Sequence, residues 1–118
     1  MPQKTGRYYA GVEAGGTKFV CLVAAGPDEV LAQTSFPTSR PEETLGKAIA
    51  FFEAHRPFAG LGIATFGPCD LDTQSPTYGR LFTSIKPGWK DADVLGAFRK
   101  AFDVPMGIDT DVNAAARK

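Results

Sequence analysis

The chain has 118 residues, 43% of them hydrophobic, and its thirteen Lys and Arg offset thirteen Asp and Glu to give a formal net charge of zero. That suffices for one domain with a modest core, and it excludes both a disordered chain and the broad basic footprint of a nucleic-acid-binding domain. No apolar run nears the ~20 residues of a membrane span, and Met1-Pro2-Gln3-Lys4-Thr5-Gly6 lacks the apolar centre of a signal peptide, so a cytoplasmic protein with no membrane or nucleic-acid partner is expected.

Residues 8–12 and 19–24 are β-prone runs joined by Glu13-Ala14-Gly15-Gly16-Thr17-Lys18, the pattern of a hairpin with a backbone-exposed turn. Gly26-Pro27-Asp28 makes a second turn, and residues 30–36 alternate apolar with polar, so the chain opens as an antiparallel three-stranded meander. A helix follows: Ser39 and Glu42 have capping-box spacing, Leu45, Ala48, Ile49 and Phe52 share one face, and Pro57 stops it. Residues 61–66 read as a short buried strand, which a helical crossover places parallel to its predecessor.

After a Gly-, Pro- and Thr-rich segment over residues 67–88, Asp91 or Asp93 caps a second helix with Val94, Leu95, Phe98 and Phe102 on one face. Residues 104–108 form a fifth strand, and Asp109-Thr110-Asp111-Val112-Asn113 then runs as a cap-like cluster into Ala114-Ala115-Ala116. A helix begun there and ended at Lys118 has little stability of its own, so the chain is expected to be part of a longer protein. The order β-β-β-α-β-α-β resembles the RNase H-like half of the actin-like ATPases, an α/β fold whose antiparallel meander is extended by parallel strands.

Two cysteines, Cys21 and Cys69, have no CxxC partner and His55 is the only histidine, so a complete zinc site within the chain is not expected. Cys21 lies in an apolar strand and reads as a small buried residue, whereas Cys69 falls on a loop. His55 closes a helical pattern, where positive charge suits the helix dipole, and it has no evident partners for general-base work.

Gly11 to Lys18 nearly spells a Walker A loop but fails it, because Thr17 precedes Lys18 and the flanking elements are both strands. Adjacent glycines still let backbone N–H groups approach an anion, with the Thr17 hydroxyl and Lys18 charge beside them. The simpler reading of two glycines is a β-turn that uses them for positive φ. Asp109-x-Asp111-x-Asn113 begins like a calcium loop, but Ala114 stands where that loop needs glycine. The same residues could merely cap a helix, yet a carboxylate at the carboxyl end of a strand in an open α/β sheet stands where ligands bind.

Read together, Glu13-Ala14-Gly15-Gly16-Thr17-Lys18 and Thr110-Asp111-Val112-Asn113-Ala114-Ala115-Ala116 resemble the phosphate-binding and catalytic segments of ROK sugar kinases. Glu13, where the family usually has Asp, points toward its fructokinase branch. Gly62 to Pro68, Thr77-Tyr78-Gly79 and Pro87-Gly88-Trp89 resemble that branch's sugar-side loops, so the likeness spans roughly residues 9–116.

The resemblance implies ATP-dependent phosphorylation of a hexose, fructose foremost, at its 6-position. Gly15, Gly16, Thr17 and Lys18 would meet the ATP phosphates, Glu13 the magnesium shell, and Asp111 would be the catalytic base. Gly67, Pro68, Thr110 and Asn113 would contact the sugar, although Thr110 replaces the family's usual Asn. Residues 1–118 would then be the amino-terminal lobe of a two-lobe kinase, a homodimer when full-length, with the adenine site and any structural zinc in the other lobe. The alternatives are a non-catalytic sugar-sensing ROK regulator or another actin-like phosphotransferase. Trp89 is expected to anchor its loop by packing.

Overall fold

Alternation of apolar and polar side chains builds the sheet. The computed structural model describes residues 8–26, 29–65, 70–80, 88–89 and 92–110, with backbone alone at Asp109 and Thr110. Strands β1 (Tyr9–Ala14), β2 (Lys18–Gly26) and β3 (Glu29–Pro37) form the expected meander, β1 antiparallel to β2 and β2 antiparallel to β3. Helix α1 (Pro41–Glu53), strand β4 (Leu61–Thr65), helix α2 (Val94–Ala101) and strand β5 (Met106–Thr110) complete the order β-β-β-α-β-α-β. The sheet order is β3-β2-β1-β4-β5. β4 runs in the same sense as β3, as expected, but its hydrogen-bonded neighbours are β1 and β5, both parallel to it.

One face of the sheet carries the core. Ala10, Val12 and Ala14 of β1, Phe19, Cys21 and Val23 of β2, and Leu61 and Ile63 of β4 are buried beneath Leu45, Ala48 and Phe52 of α1 and Val94, Leu95 and Phe98 of α2. Phe52 is fully buried and meets Phe58, Phe98 and Phe102 edge-on at centroid distances of 5.9, 6.0 and 6.3 Å. These tilted pairs are a favoured aromatic geometry and join the two helices to the chain that follows each. Cys21 is the buried small residue its strand predicted, and burial pushes its thiol up to about 12. Gly11, Glu13, Val20, Leu22, Gly62 and Ala64 line an open groove on the opposite face.

The caps differ from expectation in an instructive way. Arg40, not Ser39, is the N-cap of α1; it makes no side-chain cap, and Pro41 opens the helix. Proline has no N–H to satisfy and presets the helical φ, so the start moves one residue along. Ser39 instead donates its hydroxyl to Glu43 Oε1 and its N–H to Thr44 Oγ1, both at 2.8 Å, and Glu42 takes no part. Asp93 caps α2 by accepting the Gly96 N–H at 3.0 Å; Asp91 lies outside the described residues. His55 lies past the end of α1 with Nδ1 2.8 Å from the Phe51 carbonyl oxygen.

Phe52→Ala would empty the centre of the aromatic cluster. Its expected cost is about 3–5 kcal/mol, read from the urea unfolding midpoint of the protein. A loss within surface-substitution range, about 0.5 kcal/mol, would show that the cluster does not join the helices.

Candidate functional site

Because β1, β4 and β5 are parallel, their carboxyl ends lie at one edge of the sheet, where Ala14 aligns with Thr65 and Thr65 with Thr110. β3 delivers Pro37 to the same edge, opposite Lys18. The turn after β1, the segment entering α1 and the carboxyl ends of β4 and β5 are thus brought together by topology. His55 follows the carboxyl end of α1, the end of that helix opposite the segment entering from β3.

The turn is closed by the Gly15 N–H, which donates to the Lys18 carbonyl at 3.0 Å. A Cβ built on Gly15 would stand 2.5 Å from that carbonyl oxygen, so close approach is what demands glycine here. Positive φ is not the reason: among the described residues, glycines with positive φ are Gly79 and Gly88. Thr38, unnoticed in the sequence, braces the turn from behind. Its hydroxyl donates to the Gly15 carbonyl at 2.7 Å and its N–H to the Thr17 carbonyl at 2.9 Å. The carbonyls of Gly15, Thr17 and Lys18 are thereby occupied, while no described residue accepts from the N–H of Gly16 or Thr17. Lys18 and Thr17 are exposed beside them. A turn with those three carbonyls engaged and two donors that no described residue takes up suits an anion.

Glu13 is exposed near the end of β1, between Val20 and Ala64 in register. It could contribute one carboxylate to a cation shell, but no group of three or more His, Cys, Asp or Glu side chains that could hold a metal occurs among the described residues. Thr110 ends β5 opposite Thr65. Asp111, Asn113, Gly67, Pro68 and Cys69 lie outside the described residues.

Residues 70–80 fold around a second feature missed in the sequence. Asp70, 8% exposed, accepts the Ser75 hydroxyl at 2.6 Å, the Thr77 hydroxyl and the Asp72 N–H at 3.0 Å. The Ser75 and Thr77 hydroxyls, then the Asp72 N–H, hold its carboxyl below the usual carboxylate range, outweighing burial. The spacing of Asp70, Ser75 and Thr77 in a turn-rich stretch was a legible local signal. Gly79 has φ near 90° and donates its N–H to the Asp70 carbonyl at 2.8 Å; a side chain there would collide with Leu95. Trp89 is the expected anchor: fully buried, 5.7 Å from the Phe19 ring, its Nε1–H donating to the Ser39 carbonyl at 2.7 Å.

The sequence matches the ROK family over residues 9–117, and the chain belongs to that family. It is 44% identical over 115 residues to a fructokinase of Zymomonas mobilis, covering 93% of this chain and 38% of that protein. The chain therefore spans about two fifths of the length of that relative. The fold superposes on a ROK glucokinase from Streptomyces griseus, solved with glucose and AMPPNP, with a TM-score of 0.71 at 20% identity over 92% of this chain and 35% of that one. It matches a ROK transcriptional regulator, a homologue of the E. coli MLC protein, almost as well, with a TM-score of 0.70 at 16% identity over 94% of this chain and 29% of that one. Both likenesses establish the actin-like fold.

Asp70 sets a pH dependence for its loop. With a folded pKa below the ordinary value of roughly 3.9, its hydrogen bonds stabilise the loop above that pH, and the effect is lost as pH falls through the folded pKa. Hydrogen-exchange protection of the Asp72 amide should therefore drop on acidification, while in Asp70→Ala, which has no side-chain acceptor, it should be low at neutral pH and vary little with acid. Equal protection in the two proteins at neutral pH would contradict this.

Proposed function

We infer that the chain is the amino-terminal lobe of an ATP-dependent hexose kinase whose favoured substrate is D-fructose, with a carboxyl-terminal lobe completing the cleft. The observation that carries this reading is the turn at residues 15–18: the carbonyls of Gly15, Thr17 and Lys18 accept hydrogen bonds, no described residue accepts from the N–H of Gly16 or Thr17, Lys18 is exposed, and the turn lies at the sheet edge where β4 and β5 also end. Identity of 44% to a fructokinase supports the sugar. A ROK regulator shares the fold at much lower identity, so the fold alone does not choose between turnover and sensing.

In this reading the N–H groups of Gly16 and Thr17, the Thr17 hydroxyl and the Lys18 ammonium bind the ATP phosphates by charge-assisted hydrogen bonds. Asp111, the residue after Thr110, takes the proton from the sugar 6-hydroxyl as its oxygen bonds to the γ-phosphorus. The bond from that phosphorus to the bridging oxygen breaks, and ADP leaves with the bridging oxygen. If bound, magnesium would neutralise charge on the phosphate oxygens, with Glu13 facing its shell. Thr110, Asn113, Gly67 and Pro68 contact the sugar. Any structural zinc belongs to the other lobe, and the full-length protein is a homodimer.

In the full-length protein, a panel of hexoses with ATP and magnesium should give fructose the highest kcat/KM. Asp111→Asn keeps size and capping ability but removes the base, so kcat should fall by ~10²–10⁴-fold with little change in Tm. ADP formation near the wild-type rate in that variant would remove Asp111 from the mechanism, and hexose binding without turnover in the wild type would favour the sensing reading.

A further inference from the structure

We propose that Thr38 is a positioning residue for nucleotide: through its hydroxyl it holds the phosphate-binding turn with carbonyls averted and N–H groups presented. This rests on the phosphate role given to the turn above. A polyphosphate tolerates amide donors and repels carbonyl oxygens, so a binding turn must keep its oxygens turned away in the absence of ligand. Gly15 has room for this geometry but no side chain with which to enforce it.

Thr38 enforces it at two points. Its hydroxyl and N–H hold the carbonyls of Gly15 and Thr17, two residues apart on the same turn, and the residue is only 3% exposed, so both bonds are shielded from competing water. Thr38 cannot drift, because its neighbours are fixed on both sides. Pro37 pairs with Lys18 at the end of the sheet. Ser39 donates its N–H to Thr44 Oγ1 and accepts the Trp89 indole N–H on its carbonyl. Trp89 in turn packs on Phe19, the second residue of β2, close behind the turn. Residues 38–39 are thus a strut between the Gly88-Trp89 segment, expected on the sugar side, and the phosphate turn.

The test compares Thr38→Val, which keeps the shape and the backbone bond but loses the hydroxyl donor, with Thr38→Ser, which restores the donor. In the full-length protein, ATP affinity is measured by titration calorimetry, fructose affinity in parallel, and KM for ATP and kcat wherever turnover is seen. Thr38→Val should raise the Kd and KM for ATP about tenfold with kcat at saturating ATP and fructose affinity little changed, and Thr38→Ser should stay within about twofold of wild type. Unchanged ATP affinity in Thr38→Val overturns the proposal. So does an equal loss in Thr38→Ser, or a parallel loss of fructose affinity, which marks general loosening. If the ATP-specific loss and its rescue occur in a protein that phosphorylates no hexose, the strut stands and the kinase reading fails.

Discussion

A single hydrogen bond, from the Gly15 N–H to the Lys18 carbonyl, sets the shape on which the site depends. It reverses the chain in the space of Gly16 and Thr17 and brings the Lys18 oxygen so near residue 15 that no Cβ can be fitted between them. β1 and β2 can then pair without a gap from Ala14↔Phe19 to Tyr9↔Ala24, and the turn is left projecting at the sheet edge. Everything placed nearby answers to that edge: Thr38 from the end of β3, Thr65 from β4 and Thr110 from β5.

The core explains why the edge is firm. α1 and α2 bury one face of the sheet through Phe52, Phe98 and their neighbours, and their amino-terminal ends are fixed at the site edge by local polar bonds, through Ser39 at α1 and Asp93 at α2. Most of the stability resides in apolar burial, which has no directional preference. The polar bonds contribute less energy but decide which atoms face the edge. Residues 70–80 follow the same logic on a smaller scale, with one carboxylate gathering two hydroxyls and an amide.

Much of this was legible in the residues, and the illegible part has a common cause. Alternation in residues 30–36 and the Leu45, Ala48, Phe52 stripe marked β3 and α1 because each pattern is local: the stripe reflects the buried face of α1, and the alternation reflects the half-buried positions Ala32, Thr34 and Phe36 between exposed ones. The glycine turn was legible too, although glycine serves close approach there instead of positive φ. The pairing of β4 with β1 was not, since strand order depends on contacts between residues far apart in sequence. Thr38 was missed for the same reason: its hydroxyl meets Gly15 across 23 positions, and nothing beside it in the chain announces that bond. Ser39 misled by resembling a capping box, where Pro41 shifted the helix start.

The chain belongs to the ROK family and has the actin-like fold, and the turn at residues 15–18 is the described feature most directly suited to holding an anion. Gly15→Ala in the full-length protein tests it with the smallest change, one methyl group set against the Lys18 carbonyl. The account predicts that ATP binding followed by calorimetry weakens by about a hundredfold or more, as expected when a turn must give up its bond and orientation together, while fructose still binds. ATP affinity equal to that of the wild type would contradict it.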